Sequence, residues 1–226
     1  MFFIAAPFGN FIQLKNCISV TGTFTLKPRP GRFIQILKTL RYVKTEVGRV
    51  WRNQLGLRNP GIIKGIERHK SHNVLSIASL EKDDWNILYD IVPKNINIEL
   101  NISCPNVNKH PNLIKNFAKD KRKWCIVKVP PNITSKQIDK IVDLGYRQIH
   151  ASNTVPTEKG GLSGKMVTPH TMKILEYIKN THSHIEVIAG GGVIDIHSAQ
   201  KYIDAGADHI SLGTVCFTPW KLKVFN

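Results

Sequence analysis

Short apolar or β-branched runs alternate along the chain with longer stretches whose apolar residues recur at helical spacing. The short runs predict strands near Phe2 to Ala5, Ile18 to Thr21, Val74 to Ala78, Ile96 to Asn101, Ile126 to Val129, Gln148 to Ser152, Glu186 to Ala189 and His209 to Leu212. Helical patterns fall between them. In "ITSKQIDKIVDLG", Ile138, Ile141 and Val142 share one face, Thr134 or Ser135 is placed to cap the first turn, and Gly145 ends the last. "IDIHSAQKYIDAGAD" repeats the design, with Ile194 to Tyr202 amphipathic and Gly206 closing it, and "TPHTMKILEYIKN" (Thr168 to Asn180) is a third helix.

Eight strands with helices between them predict an α/β protein of the (β/α)₈ TIM-barrel class, compact, with one domain over residues 1–226. The competing doubly wound sheet would carry a glycine-rich dinucleotide turn after its first strand. "AAPFGNF" is not G-x-G-x-x-G, so the barrel is preferred. No repeat, linker or low-complexity tract interrupts the pattern.

Composition adds limits. A chain of 226 residues with 42% hydrophobic content has a real core. Its 32 Lys and Arg against 16 Asp and Glu give a formal charge of +16, which raises nucleic acid, anionic membrane or acidic substrates as partners. The basic residues are spread along the sequence, and the densest cluster, "KDKRKW" (Lys119 to Trp124), reads as a solvated loop, so nucleic acid is not the favoured partner. Cys17, Cys104, Cys125 and Cys216 form no CxxC pair and no zinc spacing, so no metal is expected. Without a signal peptide they read as free thiols in a reducing, cytoplasmic setting, and the sequons at Asn101 and Asn132 read as idle. No apolar run approaches the roughly 18 residues that a membrane span needs.

In a barrel the carboxyl ends of the strands form the active face. Polar, small and cationic residues gather there: Ala5-Ala6, Thr21-Gly22, Asn101 to Asn106, Lys128, Ser152-Asn153-Thr154, Gly190 to Gly192 and Gly213-Thr214. Three successive glycines after the seventh strand, and "GT" after the eighth, let the backbone approach an anion, as in barrel phosphate sites. "GGLSGK" (Gly160 to Lys165) is not a P-loop: its spacing is one residue short, and Met166 stands where Ser or Thr is required. Lys128, closing a strand, is costly inside a barrel unless it meets negative charge. Beside a phosphate site it reads as a cation for the electron-rich end of a bound ring. Cys104, flanked by Asn101 and Asn106, reads either as a buried loop thiol or as a general base over a polar planar ring.

Taken together, "LKPRPG" (Leu26 to Gly31), "NQLGLRNPG" (Asn53 to Gly61), "NISCPN", "VKVPP", "SNT", "GGLSGK", "GGGV" and "GADHISLGT" resemble, in order, the dihydroorotate dehydrogenases, FMN-dependent barrel enzymes of pyrimidine (UMP) biosynthesis. The resemblance implies an FMN phosphate resting on Gly191, Gly192, Gly213 and Thr214 with Gly164 close by, Lys128 facing N1 and O2 of the ring, and Ala5, Ala6, Asn101 and Ser152 along the cofactor. It implies dihydroorotate held by Asn53, Asn101, Asn106, Asn153 and Thr154, with the backbone of Leu55, Gly56 and Leu57 at its carboxylate. Hydride would pass from C6 to flavin N5 and the C5 proton to Cys104. A cysteine in that role resembles the soluble, class 1 type, whose members are dimers. "SNT" and "GGLSGK" look more like the serine-type enzymes.

Three departures stand out. Gly22 occupies the place of a family lysine, the first-strand motif reads Ala5-Ala6-Pro7 rather than Ala-Ser-Gly, and the family's last long helix is expected to be mostly truncated. A tRNA dihydrouridine synthase-like FMN reductase and a degenerate, non-catalytic flavin-binding relic are the competing readings. The electron acceptor is open: fumarate, NAD through a partner subunit, or another oxidant.

Overall fold

The computed structural model describes residues 1–81, 83–103 and 111–226. The chain runs through strands β1 (Phe2–Ile4) and β2 (Cys17–Thr25), helix α1 (Arg32–Thr39), strands β3 (Arg41–Thr45) and β4 (Gly48–Asn53), and helix α2 (Ile62–Glu67). Strand β5 (Val74–Ala78), helix α3 (Asp84–Ile91), strands β6 (Ile98–Asn101) and β7 (Cys125–Lys128), and helix α4 (Ser135–Asp143) follow. The last part holds β8 (Gln148–Ala151), β9 (Val155–Thr157), β10 (Gly160–Leu162), α5 (Thr168–Thr181), β11 (Glu186–Gly190), α6 (Ile196–Asp204) and β12 (His209–Leu212).

Eight of these strands close a barrel in the order β1-β12-β11-β8-β7-β6-β5-β2. Every neighbouring pair is parallel. They are the eight strands expected from the hydrophobic pattern, each within a few residues of its expected bounds. β2 differs most: it continues past Thr21 to Thr25 across a register shift between Thr21 and Phe24. The three expected helices are α4, α5 and α6. Thr134 caps α4 in a reciprocal box with Gln137, and Asp195 does the same for α6 with Ser198, so that helix starts two residues later than its apolar pattern suggests.

The pattern missed a four-stranded antiparallel sheet, β3-β4-β10-β9, built on the carboxyl side of the barrel. Its residues are largely exposed or half-buried, so they lack the apolar alternation of a core strand. Glycine supplies its tight spots. A Cβ on Gly161 would stand 2.2 Å from Thr154 Oγ1, so β9 and β10 can lie together only with glycine there.

The barrel interior is layered. Phe3, Val20, Val74, Ile126 and Ile188 form, with Trp124, a buried apolar cluster. Each such side chain contributes roughly 1.5–3 kcal/mol by leaving water. Side chains alternate along a strand, so residues two further on share the inward face. Those are Ala5, Gly22, Ser76, Lys128 and Gly190, a layer of small or polar residues that forms the floor of the space above the apolar cluster. After β12 the chain forms short 3₁₀ helices over Thr214–Phe217 and Pro219–Phe225. Phe225 meets Phe2 edge-on at 5.2 Å and so covers the amino-terminal end of the barrel, away from the polar layer.

Candidate active site

The carboxyl ends of the barrel strands and the inner face of the small sheet enclose a cavity of about 570 Å³, a size typical of small-molecule and cofactor sites. Ala5, Ala6, Asn53, Leu55, Gly56, Leu57, Asn101 and Lys128 line it, as do Ser152, Asn153, Thr154, Gly164, Gly191, Gly192, Gly213 and Thr214. All the site residues expected from sequence therefore share one chamber, except Cys104 and Asn106, which lie outside the described residues.

One end of the cavity is a glycine cradle. Gly191 and Gly192 have φ of 106° and 75°, a region glycine reaches without strain. Hydroxyls occupy the carbonyls of Gly190 and Gly191: Tyr202 and Thr168 donate to Gly191 O at 2.7 and 3.1 Å, and Thr171 donates to Gly190 O at 2.8 Å. Among the described residues, no protein partner is found for the amides of Gly191, Gly192, Gly213 and Thr214. Unpaired amides converging from two loops suit the oxygens of a phosphate, so this end fits the FMN phosphate. A Cβ on Gly191 would sit 2.6 Å from Val167 side-chain carbons. Gly191→Ala is therefore expected to distort the cradle, costing about 1–3 kcal/mol of stability and most of the flavin affinity, measured by thermal melting and flavin titration.

The loop after β4 forms the opposite end. Asn59 anchors it with all four hydrogen-bonding positions filled: Oδ1 accepts from Thr25 N and Gly61 N, and Nδ2 donates to Thr25 Oγ1 and Leu57 O. This accounts for the asparagine of "NPG", and it presents Leu55, Gly56 and Leu57 to the cavity. Arg32 and Arg58 also line this end, and Arg32 Nε donates to Arg58 O at 2.8 Å. Both escaped the sequence reading, because arginines in a basic segment look like solvated charge. They matter because Gly22 cannot simply be replaced by a cation. It has φ of 107°, and a Cβ there would come within 2.5 Å of the Ser76 carbonyl. The cations lining the cavity are Arg32, Arg58 and Lys128, and no described carboxylate lines it.

Beneath the floor lies Glu99, wholly buried, with Oε1 accepting from Ser76 Oγ at 2.8 Å and Oε2 paired with His150 Nδ1 at 2.6 Å. Burial would push its carboxyl up, but the Lys128 ammonium and the hydrogen bonds from His150 and Ser76 outweigh that and hold it at about 2. His150 is pushed down by burial and by Lys128, against the pull of Glu99. The pair is thus a carboxylate facing a neutral imidazole, and the charge of Lys128 is balanced from inside the barrel. Sequence reasoning missed both residues. Their positions follow from register: β7 places Lys128 opposite His150 on β8 and opposite Asn101 on β6.

No helix among the described residues is long and apolar enough to cross a membrane. Comparison with known proteins gives the same architecture. The chain is 27% identical over 245 residues to the "Dihydroorotate dehydrogenase B (NAD(+)), catalytic subunit" of Thermotoga maritima, covering 94% of this chain and 88% of that protein. It is 26% identical over 218 residues to the protein of the same name from Fusobacterium nucleatum, covering 80% and 70%. The ligand-free DHODH structure from Eimeria tenella superposes with a TM-score of 0.71 at 18% identity, over 92% of this chain and 74% of that one, a likeness of fold. The sequence model described as "Dihydroorotate dehydrogenase" matches residues 8–223, and the chain belongs to that family.

Proposed function

We propose that this protein oxidises dihydroorotate to orotate, with FMN as its cofactor, and that residues 1–226 act as a single flavin-binding unit. The observation that carries the reading is the shared cavity. A phosphate cradle, a buried cation, a set of asparagines and an arginine-lined loop surround one space, in the family's order along the chain. A relic freed from selection would have little reason to keep a charge-balanced polar floor under that space.

FMN, when bound, supplies the hydride acceptor. The protein's own residues do the rest. The amides of Gly191, Gly192, Gly213 and Thr214 would hold the phosphate. Lys128 would stabilise negative charge at the polar edge of the ring, at lower cost because Glu99 already balances its charge. Asn53, Asn101, Asn106, Asn153 and Thr154 would orient the pyrimidine, and Cys104 would take the C5 proton. With glycine at position 22, the cations at the carboxylate end are Arg32 and Arg58, beside the Leu55 to Leu57 backbone. A bidentate guanidinium suits a carboxylate.

Titrating the FMN-loaded protein with orotate tests the reading. A saturable change in the flavin absorption spectrum is expected. A spectrum that stays unchanged up to millimolar orotate would remove dihydroorotate as the substrate.

A further inference from the structure

The polar residues of the barrel interior form two hydrogen-bond paths that meet at Glu99, and the direction of each bond is fixed. A backbone N–H can only donate, so the Asn101 atom facing the Ser103 amide at 3.1 Å is its oxygen. The same oxygen accepts from Ser103 Oγ at 2.5 Å. Asn101 Nδ2 therefore faces Thr23 Oγ1, at 3.0 Å, and donates to it. The Thr23 hydroxyl points its own proton onward to Ser76 Oγ, 2.9 Å away, and Ser76 donates to Glu99 Oε1. Upstream, Thr154 N donates to Asn153 Oδ1 at 2.8 Å, so Asn153 Nδ2 is the atom that donates to Ser103 Oγ at 2.7 Å. One path thus runs Asn153, Ser103, Asn101, Thr23, Ser76, Glu99, donor to acceptor at every step. The other is the single bond from His150 Nδ1 to Glu99 Oε2.

This has consequences for the cavity. The Asn101 oxygen has both acceptor positions filled by Ser103, and one of the two on Asn153 is taken by Thr154 N, while each side chain keeps its second Nδ2 proton to offer. His150 spends its ring proton on Glu99, which leaves Nε2 as an acceptor on a ring that lines the cavity. We propose that Glu99 is a positioning residue for the reaction: the Ser103 and Thr154 amides set which way the Asn101 and Asn153 side chains face, and Glu99, by accepting at the end of both donor paths, anchors the chain that holds those side chains in place and sets His150 as an acceptor toward the ligand. The ligand class this selects is a ring that brings carbonyl oxygens to the asparagine side. The inference rests on the proposed function for the identity of that ring, but not for the direction of the bonds.

Glu99→Gln tests it with almost no change of shape. A carboxylate accepts from both sides at once, whereas a single amide accepts on one side and donates on the other. The variant must therefore either flip His150 to the Nε2–H tautomer or break the bond from Ser76. Nitrogen NMR of the ligand-free protein reads the first directly. The side-chain amide resonances of Asn101 and Asn153 read the second, with those of Asn59, which belongs to a separate network, as the internal control. The wild-type protein is expected to show a neutral, Nδ1-protonated His150. Glu99→Gln is expected to change one of the two signatures and to weaken orotate binding about tenfold, the size of one lost oriented hydrogen bond. Ser76→Ala serves as the second variant should the first fail to fold. It cuts only the long path, so Asn101 and Asn153 shift while His150 keeps its tautomer.

A wild-type His150 that is protonated at Nε2, or a Glu99→Gln protein with both signatures and orotate affinity unchanged, overturns the proposal. So does a Ser76→Ala protein in which the asparagine resonances stay in place. Should wild-type protein fail to bind orotate, the functional reading falls, and the NMR signatures alone decide the role of Glu99.

Discussion

Cys104→Ala is expected to slow the reduction of bound flavin by dihydroorotate by about 10²- to 10⁴-fold, the usual worth of a positioned general base, while leaving flavin content unchanged. The proton at C5 is weakly acidic, and its departure must be matched by a base on the substrate side of the flavin. No described Asp or Glu lines the cavity, because Glu99 sits below the floor with both oxygens occupied. Cys104 comes directly after Ser103, which lines the cavity and whose hydroxyl bonds Asn101 and receives from Asn153. Rapid mixing under anaerobic conditions measures the rate. An unchanged rate would remove Cys104 from the base role and leave His150, the neutral imidazole of the floor, as the group to test next.

Lys128→Met is expected to cost about 1–3 kcal/mol of folding stability at neutral pH, because the buried Glu99 carboxylate keeps its bonds to Ser76 and His150 but loses the nearby ammonium, and to abolish tight flavin binding. The pH dependence identifies the cause. In the native protein the Glu99 carboxyl is held at about 2, against an ordinary value of 4.5. Its ionised form therefore contributes stability above pH 4.5, and that contribution is lost as pH falls from 4.5 toward 2. Without Lys128, the largest of the influences that hold the carboxyl down is gone, so it titrates higher than in the native protein. Its ionised form then contributes less stability at neutral pH, and the difference disappears once the carboxyl is protonated in both proteins. The stability gap between the two proteins should thus be widest near pH 7 and shrink steadily on acidification. Urea unfolding across that range measures it. A gap independent of pH would mean that Lys128 contributes packing rather than charge balance.

The barrel was legible in the sequence because its strands are short, apolar and separated by capped helices. Thr134 with Gln137 and Gly145 marks one helix at both ends, and Gly206 stops another. The glycines at the ends of two strands were legible as a run, and their sharing of one cavity with Gly213 and Thr214 appears only in the fold. Other features carry no such local signal. β3 and β4 are basic and half-exposed, so they resemble loops, although β4 ends on Asn53 in the cavity wall and leads into the loop that carries Arg58 there. Glu99 and His150 are single polar residues inside apolar strands, 51 positions apart. Only barrel closure and strand register bring them together. Gly22 reads in sequence as a missing side chain, and its reason appears only in three dimensions, where the Ser76 carbonyl occupies the space a Cβ would need.

The proposed activity requires that this cavity hold FMN and receive dihydroorotate's hydride there. Mixing the FMN-loaded protein anaerobically with one equivalent of dihydroorotate, while following the flavin absorption and the appearance of orotate, tests it most directly. Bleaching of the flavin band, with orotate formed in equal amount, is the expected result. A flavin band that persists, with no orotate formed, would contradict it.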